Sequence, residues 1–158
     1  MNSAYTLIDG RAIARQIQQE VLEGITRLKE QHGIVPGLAV VLVGDDPASK
    51  TYVSSKSKTS AKLGMHSVQE TLPATISESD LLAIVERLNH DPTIHGILVQ
   101  LPLPSHVNPD FVIDRIDPRK DVDGLHPYNG GLLTMGRPRF VPCTPLGCIV
   151  LMESVGTK

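Results

Sequence analysis

The sequence predicts an α/β fold with three layers, in which helices cover both faces of a parallel sheet. Stretches with the length of strands lie at residues 37–44, 66–72 and 94–100, and stretches with helical signals separate them. Strands and helices that alternate through short links build a parallel sheet with right-handed crossovers. The chain has 158 residues, which is enough for one domain with a sizeable core.

Local signals place the first elements along the chain. Residues 37–44, GLAVVLVG, form a continuous apolar run that is typical of a strand buried on both faces. The second helix is predicted to begin after Asp46, an N-cap residue, and to stop at Gly64. The first helix is predicted between Asp9 and Gly33, and its apolar residues recur at spacings of four, four, four and three, as Ile13, Ile17, Val21, Ile25 and Leu28.

Two further helices are predicted from their caps. Ser77 followed by Asp80 resembles a capping box, and the helix behind it has an apolar face. Asn108 and Pro109 open a short helix that ends before Pro118. The apolar face of the longer helix consists of Leu81, Leu82, Ile84, Val85 and Leu88.

The composition and periodicity of the sequence change at about residue 117. The stretch up to residue 145 is rich in glycine, proline and charge and has no period, so it is predicted to be a long loop that serves a function or joins domains. Thr144 as N-cap and Pro145 at the first helical position then predict one more helix.

Composition excludes several classes of protein. The hydrophobic fraction of 41% and the net charge of −2 suit a soluble globular protein and do not indicate a nucleic-acid binder. The longest apolar run, residues 38–43, is far shorter than the roughly 20 residues of a membrane span. The first residues lack the apolar core of a signal peptide, which predicts a cytoplasmic protein. Cys143 and Cys148 indicate neither a disulfide framework nor a metal site.

Tyr52 and Lys56 are the first candidate site residues. They are separated by about 400° of helical rotation, so they project from nearly the same face of the second helix. In a parallel α/β sheet the ligand crevice lies beyond the carboxyl ends of the strands, which here points to Gly44-Asp45-Asp46 and to Gln100. A lysine that loses its hydration in such a crevice becomes usable as a base. The alternative is a solvated basic helix whose tyrosine packs on the sheet.

Polar residues elsewhere are also open to two interpretations. Gln100 ends an apolar strand, where its amide either bonds a lysine or ligand or faces water. Asp121 and Asp123 are paired carboxylates that suit Mg²⁺ binding, acid–base chemistry or binding of N–H groups, and the alternative is a turn closed by Gly124. Cys143 has no histidine placed by the sequence to activate it, and capping by Thr144 explains its surroundings without a nucleophile.

Taken together and in order, these motifs resemble a known family. The motifs are VGDDPASKTYVSSKSKTSAKLG, GILVQLPLP, PRKDVDGLHPYNGGLL and FVPCTP. They look like those of the bifunctional methylenetetrahydrofolate dehydrogenase/methenyltetrahydrofolate cyclohydrolases, from about Asp9 to Pro145. The combination of GILVQLPLP with KDVDG is highly specific for this family, whereas a tyrosine and a lysine four residues apart would not be.

The resemblance implies a role for each of four residues. Lys56 would be the catalytic lysine of the cyclohydrolase step, and Tyr52 would stack against the folate and orient it. Gln100 would bond Lys56 and help to set its protonation state. Asp123 would bind the N–H groups of the pterin through charge-assisted hydrogen bonds.

The resemblance also implies an activity and partners. The complete enzyme would oxidise 5,10-methylenetetrahydrofolate with NADP and hydrolyse the 5,10-methenyl product to 10-formyltetrahydrofolate, in one-carbon metabolism and purine biosynthesis. It would bind tetrahydrofolate derivatives, use no metal, bind no nucleic acid or membrane, and form a homodimer. The sequence does not distinguish NADP from NAD.

The family has a second, Rossmann-type dinucleotide-binding domain, which we expect to be absent from this chain, because no glycine-rich phosphate loop follows any predicted strand. Residues 1–143 would then be the folate-binding catalytic domain, and residues 144–158 would begin the helix that crosses to the second domain. We expect such a chain to bind folates weakly, to bind no NADP and to lack dehydrogenase activity.

Two other functions remain open at this point. Tyr-x-x-x-Lys is also the acid–base pair of short-chain dehydrogenases, but that family has a glycine-rich cofactor loop before the pair, and this sequence has none. The second alternative is a non-catalytic α/β binding domain, whose polar helix docks a partner, or a truncated folate-binding fragment that catalyses nothing by itself.

Overall fold

The sheet is parallel, and its three strands lie in the order β2-β1-β3. The structure, a computed structural model, describes residues 7–156. The strands are β1 (Gly37–Val43), β2 (His66–Leu72) and β3 (Gly96–Val99). Leu38 of β1 is aligned with Ser67 on one side and with Gly96 on the other. β3 is therefore shorter at both ends than the predicted stretch of residues 94–100.

Six helices accompany the sheet in the described part of the chain. Four N-caps predicted from the sequence are confirmed, because the side chains of Asp9, Asp46, Ser77 and Asn108 accept hydrogen bonds of 2.7–3.1 Å from backbone N–H groups of their first turns. The helices are α1 (Gly10–His32), α2 (Pro47–Lys62), α3 (Glu78–His90), α4 (Pro109–Arg115), α5 (Pro127–Thr134) and α6 (Cys143–Glu153).

The core has one layer on each face of the sheet, because neighbouring side chains of β1 point to opposite faces. One layer joins β1 to α3 and α4, through Ala39, Val41, Val43, Leu81, Val85, Leu88 and Val112. The other layer is smaller and contains Val40, Leu42, Leu98 and Val53 of α2. Full burial of each such aliphatic side chain stabilises the fold by roughly 1.5–3 kcal/mol. The predicted three-layer α/β class is confirmed.

α2 is held to the sheet with little apolar contact. Within this helix, which the structure describes in full, Val53 is the single apolar side chain that is fully buried, and the other buried residues are Ser49 and Ser60. The rest of its sheet-facing side is therefore free to present polar groups.

The predicted long loop at residues 117–145 is wrong in two respects. Residues Pro127–Thr134 form α5, which carries no apolar stripe and contains two adjacent glycines; its local start signals, Pro127 at the first helical position and the His126 ring that accepts the N–H of Tyr128 at 3.0 Å, were missed. Asp121 also forms a parallel bridge with Ile97 of β3, and the N–H of Ile97 donates to the carbonyl of Lys120 at 2.7 Å. The stretch thus extends the edge of the sheet.

The predicted start of the last helix is also wrong. α6 begins at Cys143, so Thr144 lies in its first turn and Pro142 occupies the N-cap position without a side-chain hydrogen bond. The apolar stripe predicted for α1 is real, but Ile25 is its one fully buried member, at 8% exposure. Ile17, Val21 and Leu28 are exposed among the described residues.

None of the helices that the structure describes is long and apolar enough to span a bilayer.

Lys120, next to the predicted carboxylate pair, stabilises the end of α3. Its ammonium donates to the carbonyls of Leu88, Asn89 and Asp91 at 2.7–3.1 Å. We expect Lys120→Met to lower the free energy of unfolding by about 1–3 kcal/mol, because three carbonyls at a helix C-terminus lose their donor. Urea denaturation measures this. Lys62→Met, at an exposed position in the last turn of α2, is the matched control and should change stability by less than about 0.5 kcal/mol. Equal effects of the two changes would contradict the capping role.

Candidate functional site

The candidate site is a cleft of about 570 Å³ on the α2 face of the sheet. Its volume lies within the usual range of small-molecule sites, roughly 300–1,000 Å³. α2 forms one wall, the segment around Asp123 and the first turn of α6 form the other, and the sheet lies between them. The lining residues are Leu38, Ser55, Lys56, Thr59, Ser60, Met65, Leu98, Val122, Asp123, Cys143 and Thr144.

The predicted crevice beyond the strand ends is only partly correct. Gln100 does follow the end of β3, but Leu38, at the start of β1, also lines the cleft, so the cleft extends along the sheet. Asp45 and Asp46 do not line it. Asp46 caps α2, and the exposed Asp45 pairs with Lys50. These two carboxylates serve the local turn rather than the cleft.

Lys56 and Gln100 are in direct contact. The Lys56 ammonium donates to Oε1 of Gln100 at 3.1 Å, across 44 residues of sequence. The amide nitrogen of Gln100 donates to the carbonyl of Leu101 at 2.7 Å, and its backbone N–H donates to Val41 at 2.8 Å. Because the amide nitrogen is already committed, the amide oxygen is held toward the half-buried lysine. The interpretation of Gln100 as a residue that simply faces water is wrong.

Asp123 lies in the same cleft as Lys56. Burial raises the pKa of the Asp123 carboxyl above its ordinary value, the positive charge of Lys56 opposes this rise, and the charge of Asp121 adds to it. The cleft therefore places one carboxylate, without hydrogen-bond partners of its own among residues 7–156, within electrostatic reach of one ammonium. Such a carboxylate is available to N–H donors of a ligand.

Tyr52 is 63% exposed and lies one turn before Lys56 on α2, outside the residues that line the cleft. The alternative in which its ring packs on the sheet is wrong, because a packed ring would be buried. The structure therefore brings three of the four predicted residues together and leaves Tyr52 as an exposed ring beside them.

The two carboxylates of the KDVDG motif have different roles, which sequence reasoning did not separate. Asp121 is 1% exposed and accepts the N–H groups of Leu125 and His126 at 3.2 and 3.0 Å. It also accepts an amide N–H of Asn129 at 2.8 Å. The turn interpretation is thus right for Asp121, while Asp123 faces the cleft. Asn129 was not predicted, and no local sequence signal marks it.

Cys143 lines the cleft but is a poor nucleophile. Burial and the charge of Asp123 raise the pKa of its thiol, the positive charge of Lys56 opposes this rise and the charge of Asp121 adds to it, so the reactive thiolate is disfavoured. The thiol donates to the carbonyl of Val122 at 3.4 Å. Thr144 does not supply the cap on which the sequence argument against a nucleophile relied, so electrostatics carries that conclusion instead.

The link between β1 and α2 does not fit the phosphates of a dinucleotide. In Rossmann-type sites the phosphates bind free N–H groups at a helix start that follows a glycine-rich turn. Here the first turn of α2 is capped by the Asp46 carboxylate, which would repel a phosphate, and Gly44 is the only glycine in the β1–α2 link. Among residues 7–156 no group of three or more potential metal ligands occurs.

Comparison with known proteins decides the family. Residues 8–123 match the family model described as tetrahydrofolate dehydrogenase/cyclohydrolase, catalytic domain. The chain belongs to the tetrahydrofolate dehydrogenase/cyclohydrolase family. The resemblance drawn from the sequence motifs is confirmed.

Curated relatives and solved structures of this family cover nearly the whole chain. Bifunctional protein FolD 2 of Roseobacter denitrificans is 56% identical over 95% of the chain and 50% of its own length. A FolD crystal structure from Campylobacter jejuni matches 95% of the chain and 53% of its own, with a TM-score of 0.91 and 47% identity. The Trypanosoma brucei enzyme, solved with NADP and an inhibitor, matches 96% of this chain and 52% of its own, with a TM-score of 0.93 and 37% identity. The chain thus spans about half the length of these family members.

The raised pKa of Asp123 predicts a pH-dependent stability. From the ordinary pKa of 3.8 up to the raised pKa, the Asp123 carboxyl binds more protons in the folded chain than in the unfolded chain, so its contribution to the free energy of unfolding falls as pH rises through that window. The lowered pKa values of Asp46, Asp91 and Asp117 contribute in the opposite direction in the parent and in the variant alike, so the fall is read from the difference between the two. We expect Asp123→Asn to abolish this fall and to increase stability at neutral pH. Urea denaturation from acid to neutral pH measures it, with Asp114→Asn, at an exposed position on α4, as the control. A variant less stable than the parent at neutral pH would contradict the argument.

Proposed function

We propose that this chain is the folate-binding catalytic domain of a bifunctional enzyme. The complete enzyme oxidises 5,10-methylenetetrahydrofolate with NADP and hydrolyses 5,10-methenyltetrahydrofolate to 10-formyltetrahydrofolate. The observation that carries the proposal is that Lys56, which contacts Gln100, lines a cleft that also holds Asp123. The names of the family members support it, since the Campylobacter protein is a methylenetetrahydrofolate dehydrogenase/cyclohydrolase.

In this proposal the cleft binds the pterin by its edge and its face. Asp123 accepts N–H groups of the ring, and a hydrogen bond to a charged group is worth about 1.5–3 kcal/mol. Leu38, Leu98 and Val122 give the cleft an apolar floor that suits a flat ring. Tyr52 stacks on the exposed part of the folate, because its own ring is not committed to the core.

The hydrolytic step uses Lys56 as the base. The methenyl carbon lies between two nitrogens that share its positive charge, and the oxygen of a water molecule attacks it. Lys56 removes a proton from the attacking water. The bond from this carbon to one nitrogen then breaks, that nitrogen takes a proton, and the formyl group remains on the other. Gln100 holds the lysine nitrogen in position through its amide oxygen, which accepts an N–H of the amine in either protonation state.

The oxidative step makes a different demand on this chain. Hydride leaves the bridge carbon of the substrate, and the domain contributes by holding the folate ring in line with the acceptor. The trypanosomal relative binds NADP, and a dinucleotide of this kind, held outside the described residues in the complete enzyme, would supply the hydride acceptor. The link between β1 and α2 does not fit the phosphates of a dinucleotide, and we propose that this chain alone binds NADP too weakly to measure and has no dehydrogenase activity. Homodimer formation, cytoplasmic location and a role in purine biosynthesis stay predictions.

Lys56→Met separates the two activities. Because only water addition needs a base, we expect the variant of the complete enzyme to lose cyclohydrolase activity by about 10²–10⁴-fold and to keep much of its dehydrogenase activity. Spectroscopic assays of the two steps measure this. Lys58→Met, an exposed position two residues along the same helix, should leave both rates unchanged. Equal loss of both activities in Lys56→Met would refute the assignment of Lys56 as the base.

Folate affinity distinguishes the two interpretations of this chain, an enzyme domain and a partner-docking domain. We expect Tyr52→Ala to weaken tetrahydrofolate binding by about 0.5–1.5 kcal/mol, as for a lost ring–ring contact. Asp123→Ala should weaken it by about 1.5–3 kcal/mol. Titration calorimetry of this chain measures both. Tyr128→Ala and Asp114→Ala are matched controls, because both side chains are exposed and lie outside the cleft. Binding that is indifferent to both site variants would favour the non-catalytic docking domain.

A further inference from the structure

The packing of the neighbouring backbone fixes the position of Asp123. Its carboxylate makes no hydrogen bond to any other residue in the described part of the chain, so no side-chain partner fixes it. The residues on either side of it are packed tightly. A Cβ on Gly96 would lie 2.5 Å from Val122, and a Cβ on Gly124 would lie 3.0–3.1 Å from Pro142 and Val141.

A buried polar pair, Asp121 and Asn129, holds the same loop through hydrogen bonds. Asn129 is fully buried, at 0% exposure, and so is Asp121, at 1%. The amide nitrogen of Asn129 uses both of its hydrogens, one for Asp121 at 2.8 Å and one for the carbonyl of Pro118 at 2.9 Å. Asp121 in turn receives the backbone N–H groups of Leu125 and His126.

The geometry of these bonds closes the loop that carries Asp123. Asn129 on α5 ties Pro118, before the loop, to Asp121 inside it, and Asp121 ties itself to residues 125 and 126, after the loop. Residues 122–124 therefore form a short arc whose two ends are joined to one buried side chain. A hydrogen bond between buried polar groups is costly to break, because the partner left behind has no access to water.

We infer that Asn129, acting through Asp121, is the positioning residue for Asp123 in folate binding. This inference deepens the proposed function and rests on it. Asn129 touches neither the cleft nor the ligand, and its oxygen Oδ1 has no partner within residues 7–156. The side chain is therefore used as a double donor. Neither aspartate nor leucine, which are similar in size, can provide two N–H groups.

The test is a double-mutant cycle between Asn129 and Asp123 in the 158-residue chain. Tetrahydrofolate affinity is measured by calorimetry without oxygen, at a temperature at which circular dichroism shows every variant to be folded. We expect Asn129→Ala to raise the Kd about tenfold, similar to the effect of a weakened charge-assisted hydrogen bond. In the Asp123→Ala background the same change should alter the Kd by less than about twofold, because the group that Asn129 positions is gone.

Asn89→Ala is the matched control. Like Asn129, Asn89 bonds the backbone at two points, since its side chain donates to the carbonyl of Arg115 and accepts the N–H of Asp117. It does not touch Asp121. We expect it to lower stability without changing the Kd. An unchanged Kd in Asn129→Ala, or an equal loss of affinity in both Asp123 backgrounds, overturns the inference. If Asn129→Ala does not fold, Asp121→Asn, which keeps the shape and removes one acceptor oxygen, is put through the same cycle with the same outcomes.

A measurement without folate separates failure of this inference from failure of the proposed function. The carboxyl carbon of Asp123 is titrated by nuclear magnetic resonance. We expect its raised pKa to move toward the ordinary value in Asn129→Ala, because the loosened arc exposes the carboxyl, and to stay unchanged in Asn89→Ala. If the parent chain binds no tetrahydrofolate, the proposed function fails. If the Asp123 titration is the same in Asn129→Ala and in the parent chain, the positioning role fails.

Discussion

Burial of β1 on both faces is the constraint on which the site depends. Its residues from Ala39 to Val43 are almost completely inaccessible, so each face of the sheet must be covered by helices. α3 and α4 cover one face with many apolar side chains. On the other face α2 contributes Val53 alone as a fully buried apolar residue. The part of that face that α2 leaves open, at Leu38 and Leu98, is the floor of the cleft.

The charges of the cleft show the cost that a functional site imposes on a fold. Asp121 and Asp123 lie two residues apart, but Asp121 receives three N–H groups, whereas Asp123 receives none from the described residues. An ionised carboxyl that is partly buried without donors destabilises the folded state, which is why its pKa is raised. Such an uncompensated group is expected where a ligand supplies the missing donors. The same reasoning explains why the two aspartates are not interchangeable.

The sequence allowed the elements with local causes to be predicted, and the failures are tertiary. Asp9, Asp46 and Ser77 cap their helices through bonds to residues three positions away, so the pattern is visible in the sequence. α5 has a local cap, the His126 ring before Pro127, but no apolar stripe, and its buried Asn129 has partners eight and eleven residues away. Thr144 followed by proline has the pattern of a cap, but the helix begins at Cys143. Nothing local distinguishes the carboxylate that faces the cleft from the one that supports the loop.

The first turn of α6 belongs physically to the cleft. Cys143 and Thr144 line it, and the Cys143 thiol bonds the carbonyl of Val122, next to Asp123. Gly124 adopts a φ of 68°, and the absence of a Cβ there lets Val141 and Pro142 approach its backbone closely. The domain boundary that the sequence predicts, between residues 143 and 144, therefore falls between two residues that both line the cleft. The first turn of α6 thus contacts the segment that carries Asp123, although no residue of this helix is buried, so a shift of that turn would change the wall of the cleft.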